Sequence, residues 1–230
     1  MNRKILIAGA SGLLGSNILK SLDSKVNDIT LLSRKEIGTN KDVKQIVTEF
    51  SEIDSITDEY EFDTVYIAIG KRLSIMELAF LPEKNKKSFE EVDYSFIKNI
   101  ALFGQKHGAT SIGLISAVGA KSGSFNSYLD VKGKTEDQIT SMGYEKVVIA
   151  RPGHLLGERF NEPINYSVMV FELITNILGY FLIGPLKKYK NINASAVASS
   201  LISKMSDQSK GVSFLEYDDF TRSRYFYFLI

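Results

Sequence analysis

Six short apolar runs, each followed by a longer mixed stretch, constrain this chain more than any other feature. "RKILIAG", "DITLLSRK", "VKQIVTEF", "FDTVYIAIG", "ATSIGLISA" and "EKVVIARPG" read as strands, several of them closed by glycine. Between them, "SGLLGSNILKSLDS", "KSFEEVDYSFIKNIALFGQKHG" and "SYLDVKGKTEDQITSMG" carry helical periodicity, the second stopped by Gly108. Strands alternating with helices of this length imply βαβ units. The expected fold is therefore α/β, a doubly wound and mostly parallel sheet with helices on both faces. "KRLSIMELAFLPEKN" is too mixed to assign and reads as a loop. After Gly153 the pattern turns helical, with "NASAVASSLISKM" clearest and "GVSFLEYDDF" a late strand or turn. One domain over 1–230 is expected, its C-terminal part from about 154 completing the cleft.

Composition narrows the function classes. Lys plus Arg number 28 against 27 acids, a formal charge of +1, which gives no electrostatic case for nucleic acid or an anionic membrane. There is no cysteine, so disulfides, thiolate metal sites and cysteine nucleophiles are excluded. Two separated histidines, His107 and His154, make no histidine-rich metal site, and no metal is expected. "INYSVMVFELITNILGYFLIG" (164–184) is long and apolar but interrupted by Asn165, Glu172 and Asn176. Buried helices, or an amphipathic surface for a partner or a membrane, are expected there and not a membrane span. "MNRKILIAGASG" runs straight into a strand-like segment, leaving no room for a signal peptide in this reading, and the expected compartment is the cytoplasm.

"AGASGLLGS" sets Gly9, Gly12 and Gly15 in a G-x-x-G-x-x-G frame between the first strand and first helix. In that context Gly9 permits the sharp turn and Gly12 lets a pyrophosphate approach backbone N–H groups. Gly15 lets the helix pack closely. Ser11, Leu13 and Leu14 complete this cofactor loop. About 20 residues on, an NAD-preferring site carries an acid. This chain has Ser33, Arg34 and Lys35, followed by Glu36. A guanidinium grips a 2′-phosphate that an acid would repel, so NADP(H) is favoured over NAD(H). The plain alternative is a basic loop facing solvent.

"YLDVKGK" places Tyr128 and Lys132 on one helix face, after the fifth strand. A phenol ionises near pH 10, and an ammonium beside it is expected to lower that value. Tyr128 becomes the candidate acid/base, with Lys132 also holding ribose hydroxyls.

With these motifs, the chain resembles the short-chain dehydrogenase/reductase superfamily, in the atypical NAD(P)-binding branch of the Tat-interacting-protein-like oxidoreductases. The resemblance runs from "ILIAGASGLLG" through "YIAIG", "VDYSFIKNIALFGQKHG", "LISAVGAKSGSFNSYLDVKGKTE" and "ARPGHLLGER" to about residue 205. It implies a Rossmann fold, NADP(H) and Tyr128 with Lys132 as the active pair. It adds Ser116 as a third catalytic group, with Ala117 where a second hydroxyl often follows and Ser122, Ser124 and Ser127 as substitutes. It also implies cofactor contacts at Ala68, Ile69 and Gly70, and at Arg151, Pro152 and Gly153 on the nicotinamide side. The expected partner is a small carbonyl or alcohol substrate. The alternative is a non-enzymatic NADP(H) sensor acting through a protein partner. His154 is expected to be a packing residue, while Arg151 and Arg159 are ion-pair residues or anion binders. The aromatic end "RYFYFLI" is expected to pack on the core or on a second subunit, which brings in a homodimer.

Overall fold

The computed structural model describes residues 2–39, 42–71, 73–157 and 184–222. Arg159, most of the apolar 164–184 stretch and the aromatic C-terminus lie outside the described residues. All six expected strands form: β1 (Arg3–Ala8), β2 (Asn27–Ser33), β3 (Lys44–Val47), β4 (Thr64–Ile67), β5 (Ser111–Ile115) and β6 (Lys146–Ala150). The first helix, α1, spans Leu13–Ser21. Two further short strands, β7 (Leu155–Leu156) and β8 (Ile192–Asn193), pair parallel with each other beside the main sheet.

"GVSFLEYDDF" resolves into β9 (Gly211–Leu215), which extends the main sheet in the order β3-β2-β1-β4-β5-β6-β9. Every pairing in it is parallel. The chain leaves β1 one way to β2 and the other way to β4. This reversal opens a crevice at the carboxyl ends of β1 and β4, which are level: Ala8 stands opposite both Leu32 and Ile67.

Strands buried on both faces explain the continuous apolar runs. One core layer joins Ile5, Ile7, Leu31 and Val148 to α1 and to α6 (Ala194–Ser206). The other joins Leu6, Leu32, Val65, Ile112 and Ile149 to α4 (Ile97–Lys106) and to Ile139 of α5 (Ser127–Ser141). This is the doubly wound α/β arrangement of a Rossmann fold, with α7 (Tyr217–Arg222) closing the described chain.

Two local results differ from the sequence reading. The mixed stretch before residue 83 holds a short helix, α2 (Ile75–Ala79), started by a capping box in which Ser74 and Glu77 satisfy each other's backbone N–H groups. The long helix after it is α3 (Glu83–Glu90) and α4 joined by a π-helical turn, Glu91–Phe96. Such turns concentrate at functional sites. This one carries Asp93.

Candidate active site

The site begins where β1 ends. Gly9 sits at φ +91°, and a Cβ there would come within 2.6 Å of the Ala68 carbonyl. The glycine loop and the end of β4 are therefore in direct backbone contact, sealed by Ala68 N–H donating to the Ala8 carbonyl at 2.9 Å. Gly15 is more tightly held, since a Cβ would lie 2.0 Å from the Gly9 carbonyl oxygen. Gly12 differs: its nearest neighbour would be that same oxygen at 3.3 Å. The protein itself thus excludes side chains at Gly9 and Gly15 but barely at Gly12, which suits a position left bare for a ligand.

Gly12 is the N-cap of α1, with no side-chain cap and no acid in the first turn. The N–H groups of Leu13, Leu14 and Gly15 have no intrahelical acceptor and offer a pyrophosphate its donors. Leu13 also packs toward Gly157, bringing the chain after β6 against this loop. At the end of β2, Ser33 is buried, while Arg34, Lys35 and Glu36 are exposed. Gln45 secures the turn that follows by accepting from the Ile37 N–H and donating to its carbonyl, both at 2.9 Å.

The chemical end is built on α5. Asn126 caps it by accepting from Leu129 N–H at 3.1 Å, and Lys121 N–H donates to the Leu129 carbonyl at 3.0 Å. Gly133 permits this closeness, because a Cβ would lie 2.1 Å from the Ser122 nitrogen. Tyr128 is half-buried and packs on Phe89, ring centroids 5.5 Å apart. Lys132 is buried at 6% exposure. Its Nζ lies 2.8 Å from Oδ1 of Asp93, whose side chain is 1% exposed.

Asp93 is the functional candidate that motif reading missed. Its Oδ2 accepts from Lys71 N–H at 2.7 Å, its carbonyl accepts from Thr135 Oγ1 at 2.6 Å, and Gly70 lies over the pair. One acid therefore joins the end of β4, the π-turn and α5. A signal was available. Phe89, Asp93, Ile97 and Ala101 recur every four residues, and a carboxylate stands where that stripe is otherwise buried and apolar.

The expected lowering of the phenol is corrected. Burial pushes Tyr128 above the ordinary value, Lys132 opposes this and Asp93 adds to it. Burial also works against the Lys132 charge, but Asp93, helped by Tyr128 and Glu136, outweighs it and raises that group. The lysine's charge is largely spent on Asp93.

Ser116 is buried just past β5, and its Oγ has no hydrogen-bond partner among the described residues. Such an orphan hydroxyl calls for an explanation. At the end of β6 the three residues do different work. The Arg151 guanidinium donates to Glu136 from Nε at 3.0 Å and stacks 4.1 Å over the Phe214 ring. Pro152 accepts from Val118 N–H at 2.9 Å, and Gly153 lies so close to the backbone of 188–190 that a Cβ would meet the Lys190 carbonyl oxygen at 2.9 Å. Arg151 is thus an ion-pair residue, and what this turn can offer a cofactor is backbone.

A separate cavity of about 780 Å³ opens at the other end of the sheet, beside Lys4, Asp28 and Lys44. Its charges pair with one another, as in Lys44–Asp28 at 2.9 Å, and it lies away from the glycine loop.

The model of the NAD dependent epimerase/dehydratase family matches residues 5–77. Protein FMP52, mitochondrial, of Candida albicans is 30% identical over 155 residues, covering 66% of this chain and 67% of that one. The chain belongs to the atypical short-chain dehydrogenase/reductase superfamily. Protein HTATIP2 of Rattus norvegicus is 25% identical over 165 residues, 69% of this chain and 65% of that. Among solved structures, MoeE5 in complex with UDP-glucuronic acid and NAD superimposes with a TM-score of 0.66 at 14% identity, covering 92% of this chain and 75% of that. The superfamily is one of NAD(P)-binding proteins, and the glycine cradle and uncapped helix end fit such a cofactor. Among the described residues no helix is long and apolar enough to cross a membrane.

The cytoplasmic expectation is corrected. FMP52 relatives at 28–30% identity, from Candida albicans and Kluyveromyces lactis among others, are named as mitochondrial proteins. The expectation rested on the lack of room for a secretory signal peptide, which bears on secretion and not on a mitochondrial address.

Proposed function

We propose that this protein is an NADP(H)-dependent reductase of a small carbonyl compound, with Tyr128 as the proton donor. The observation that carries the reading is the α5 face, which carries Tyr128 and Lys132 four residues apart with the Lys132 ammonium beside Gly70 at the β4 end of the glycine cradle. A protein that only bound the nucleotide would need the cradle and not this helix.

In the proposed reaction the cofactor, when bound, supplies hydride to the carbonyl carbon. Tyr128 gives its phenolic proton to the carbonyl oxygen as charge develops there, and is reprotonated from solvent afterwards. The Ser116 hydroxyl donates a hydrogen bond to the same oxygen and so satisfies its own buried group. Lys132, held by Asp93, offers N–H donors to ribose hydroxyls. Leu13, Leu14 and Gly15 hold the pyrophosphate with backbone N–H groups, while Ala68, Ile69 and Gly70 form the shelf beside it. The backbone of Arg151–Gly153, with the chain after it, closes the nicotinamide side as part of a single domain.

NADP(H) is the favoured form, because the exposed Arg34 and Lys35 stand where an acid would select the unphosphorylated ribose. The test is NADPH oxidation by the purified chain against a panel of aldehydes, ketones and quinones. The reading expects turnover of at least one class. Tight NADPH binding with no turnover across the panel would overturn it in favour of a cofactor-binding sensor.

A further inference from the structure

Lys132 does not face the phenol as a lone charge. Asp93 Oδ1 lies 2.8 Å from its Nζ, and both side chains are buried. The other carboxylate oxygen is also occupied, by Lys71 N–H at 2.7 Å. An ammonium stabilises a neighbouring phenolate through its net charge. A buried ammonium joined to a carboxylate is close to neutral, so its field at a third group is that of a dipole. The feature that would make Tyr128 a base at neutral pH is therefore opposed within the site itself, by burial first and by Asp93 beside the ammonium.

We propose that Asp93 keeps Tyr128 in its protonated, proton-donating form, setting the site for carbonyl reduction at neutral pH and confining alcohol oxidation to alkaline solution. Reduction consumes the phenol's proton, whereas oxidation needs the phenolate to accept one. A residue that holds the proton on Tyr128 thus favours one direction's starting state. This deepens the assignment of Tyr128 as proton donor and rests on it.

The surroundings agree. The charged groups acting on the phenol are Lys132 from α5 and Asp93 from the π-turn. From α3 the neighbour is the uncharged Phe89 ring, with Leu73, Leu81, Val131 and Tyr94 in the same cluster. Tyr94 spends its own hydroxyl on Gln138 at 3.2 Å. Burial raises the phenol and Asp93 reinforces that, so Lys132 works alone in the opposite direction. An asparagine at 93 would keep an acceptor for Lys71 N–H and remove only the charge.

The test is a titration of tyrosinate by near-ultraviolet absorbance, with Tyr128→Phe subtracted to isolate this residue from the chain's eleven tyrosines. Asp93→Asn is expected to lower the Tyr128 midpoint by about one pH unit or more. Where alcohol turnover is measurable, its alkaline limb moves down with it. Lys132→Met should raise the midpoint, and Asp93→Asn added to Lys132→Met should bring it down again. That second comparison reads the carboxylate's effect without leaving an unpaired buried ammonium. A midpoint unmoved by Asp93→Asn in both backgrounds, in folded protein, overturns the proposal. The titration needs no substrate, so a failure of Tyr128 as catalyst would appear separately, as full turnover in Tyr128→Phe.

Discussion

Lys132 Nζ and Asp93 Oδ1 lie 2.8 Å apart in a part of the fold where neither side chain meets much solvent. Removing one partner of such a pair leaves the other buried and uncompensated. Asp93→Ala should lower the unfolding free energy by about 3–5 kcal/mol. Lys132→Met leaves the Asp93 carboxylate buried with Lys71 N–H as its remaining donor and should destabilise the fold as well. Urea unfolding measures both, and a loss below about 1 kcal/mol for Asp93→Ala would mean the carboxylate is not committed to Lys132 in solution.

The glycine frame predicts two different failures from two small substitutions. Gly15→Ala places a methyl 2.0 Å from the Gly9 carbonyl oxygen, so the loop must move, and stability should fall by about 1–3 kcal/mol or more. Gly12→Val has more room inside the protein, 3.3 Å at its Cβ, and should fold. It should nevertheless weaken NADPH binding by about 100-fold, because the side chain stands on the phosphate path. A Gly12→Val protein that folds and binds NADPH normally would move the phosphate site elsewhere.

Cofactor choice is tested at the end of β2. NADPH should bind at least about tenfold more tightly than NADH, and Arg34→Ala should remove most of that gap while leaving NADH affinity nearly unchanged. Calorimetric titration giving equal affinities for the native chain would contradict the assignment.

Alkaline pH should destabilise the fold. Burial raises Tyr66, Tyr128 and Tyr144, and the balance at Lys132 is also upward. Each of these groups keeps its proton longer when folded than when unfolded. Their contribution is complete below the unfolded values and is lost as pH rises above about 10, at ~1.4 kcal/mol per pH unit for each group in that window. Denaturant melts at neutral pH and near pH 11 should therefore show a lower midpoint in base. An unchanged or higher midpoint would contradict the raised proton affinity of these groups in the folded chain.

The strands were legible because a sheet covered on both faces demands apolar runs, and Ile5–Ala8, Leu31–Leu32 and Val147–Ala150 have no solvent side to record. The glycine loop was legible because Gly9 and Gly15 sit where backbone touches backbone. Tyr128 and Lys132 could be found from spacing on one helix, a local property. Asp93 could not be paired with Lys132 in that way, since the two meet only through the packing of the π-turn on α5, 39 positions apart in sequence (132 − 93). The direction of the Tyr128 shift was misread because spacing revealed the ammonium but neither the burial that outweighs it nor its counter-ion. β9 was ambiguous because it is an edge strand with Val212 and Phe214 partly exposed, which breaks the buried pattern. Helix α2 is five residues long and begins at a capping box, so periodicity had little to register.

The central claim is that the hydroxyl of Tyr128 supplies the proton. Tyr128→Phe keeps the ring against Phe89 and removes only that proton. On the best substrate of the panel, carbonyl reduction by this variant should fall by about 10²–10⁴-fold. NADPH affinity, measured in the same preparation, should stay within about twofold of the native chain, a difference under ~0.5 kcal/mol. Native turnover in Tyr128→Phe, with the cofactor bound as tightly as before, would contradict the account.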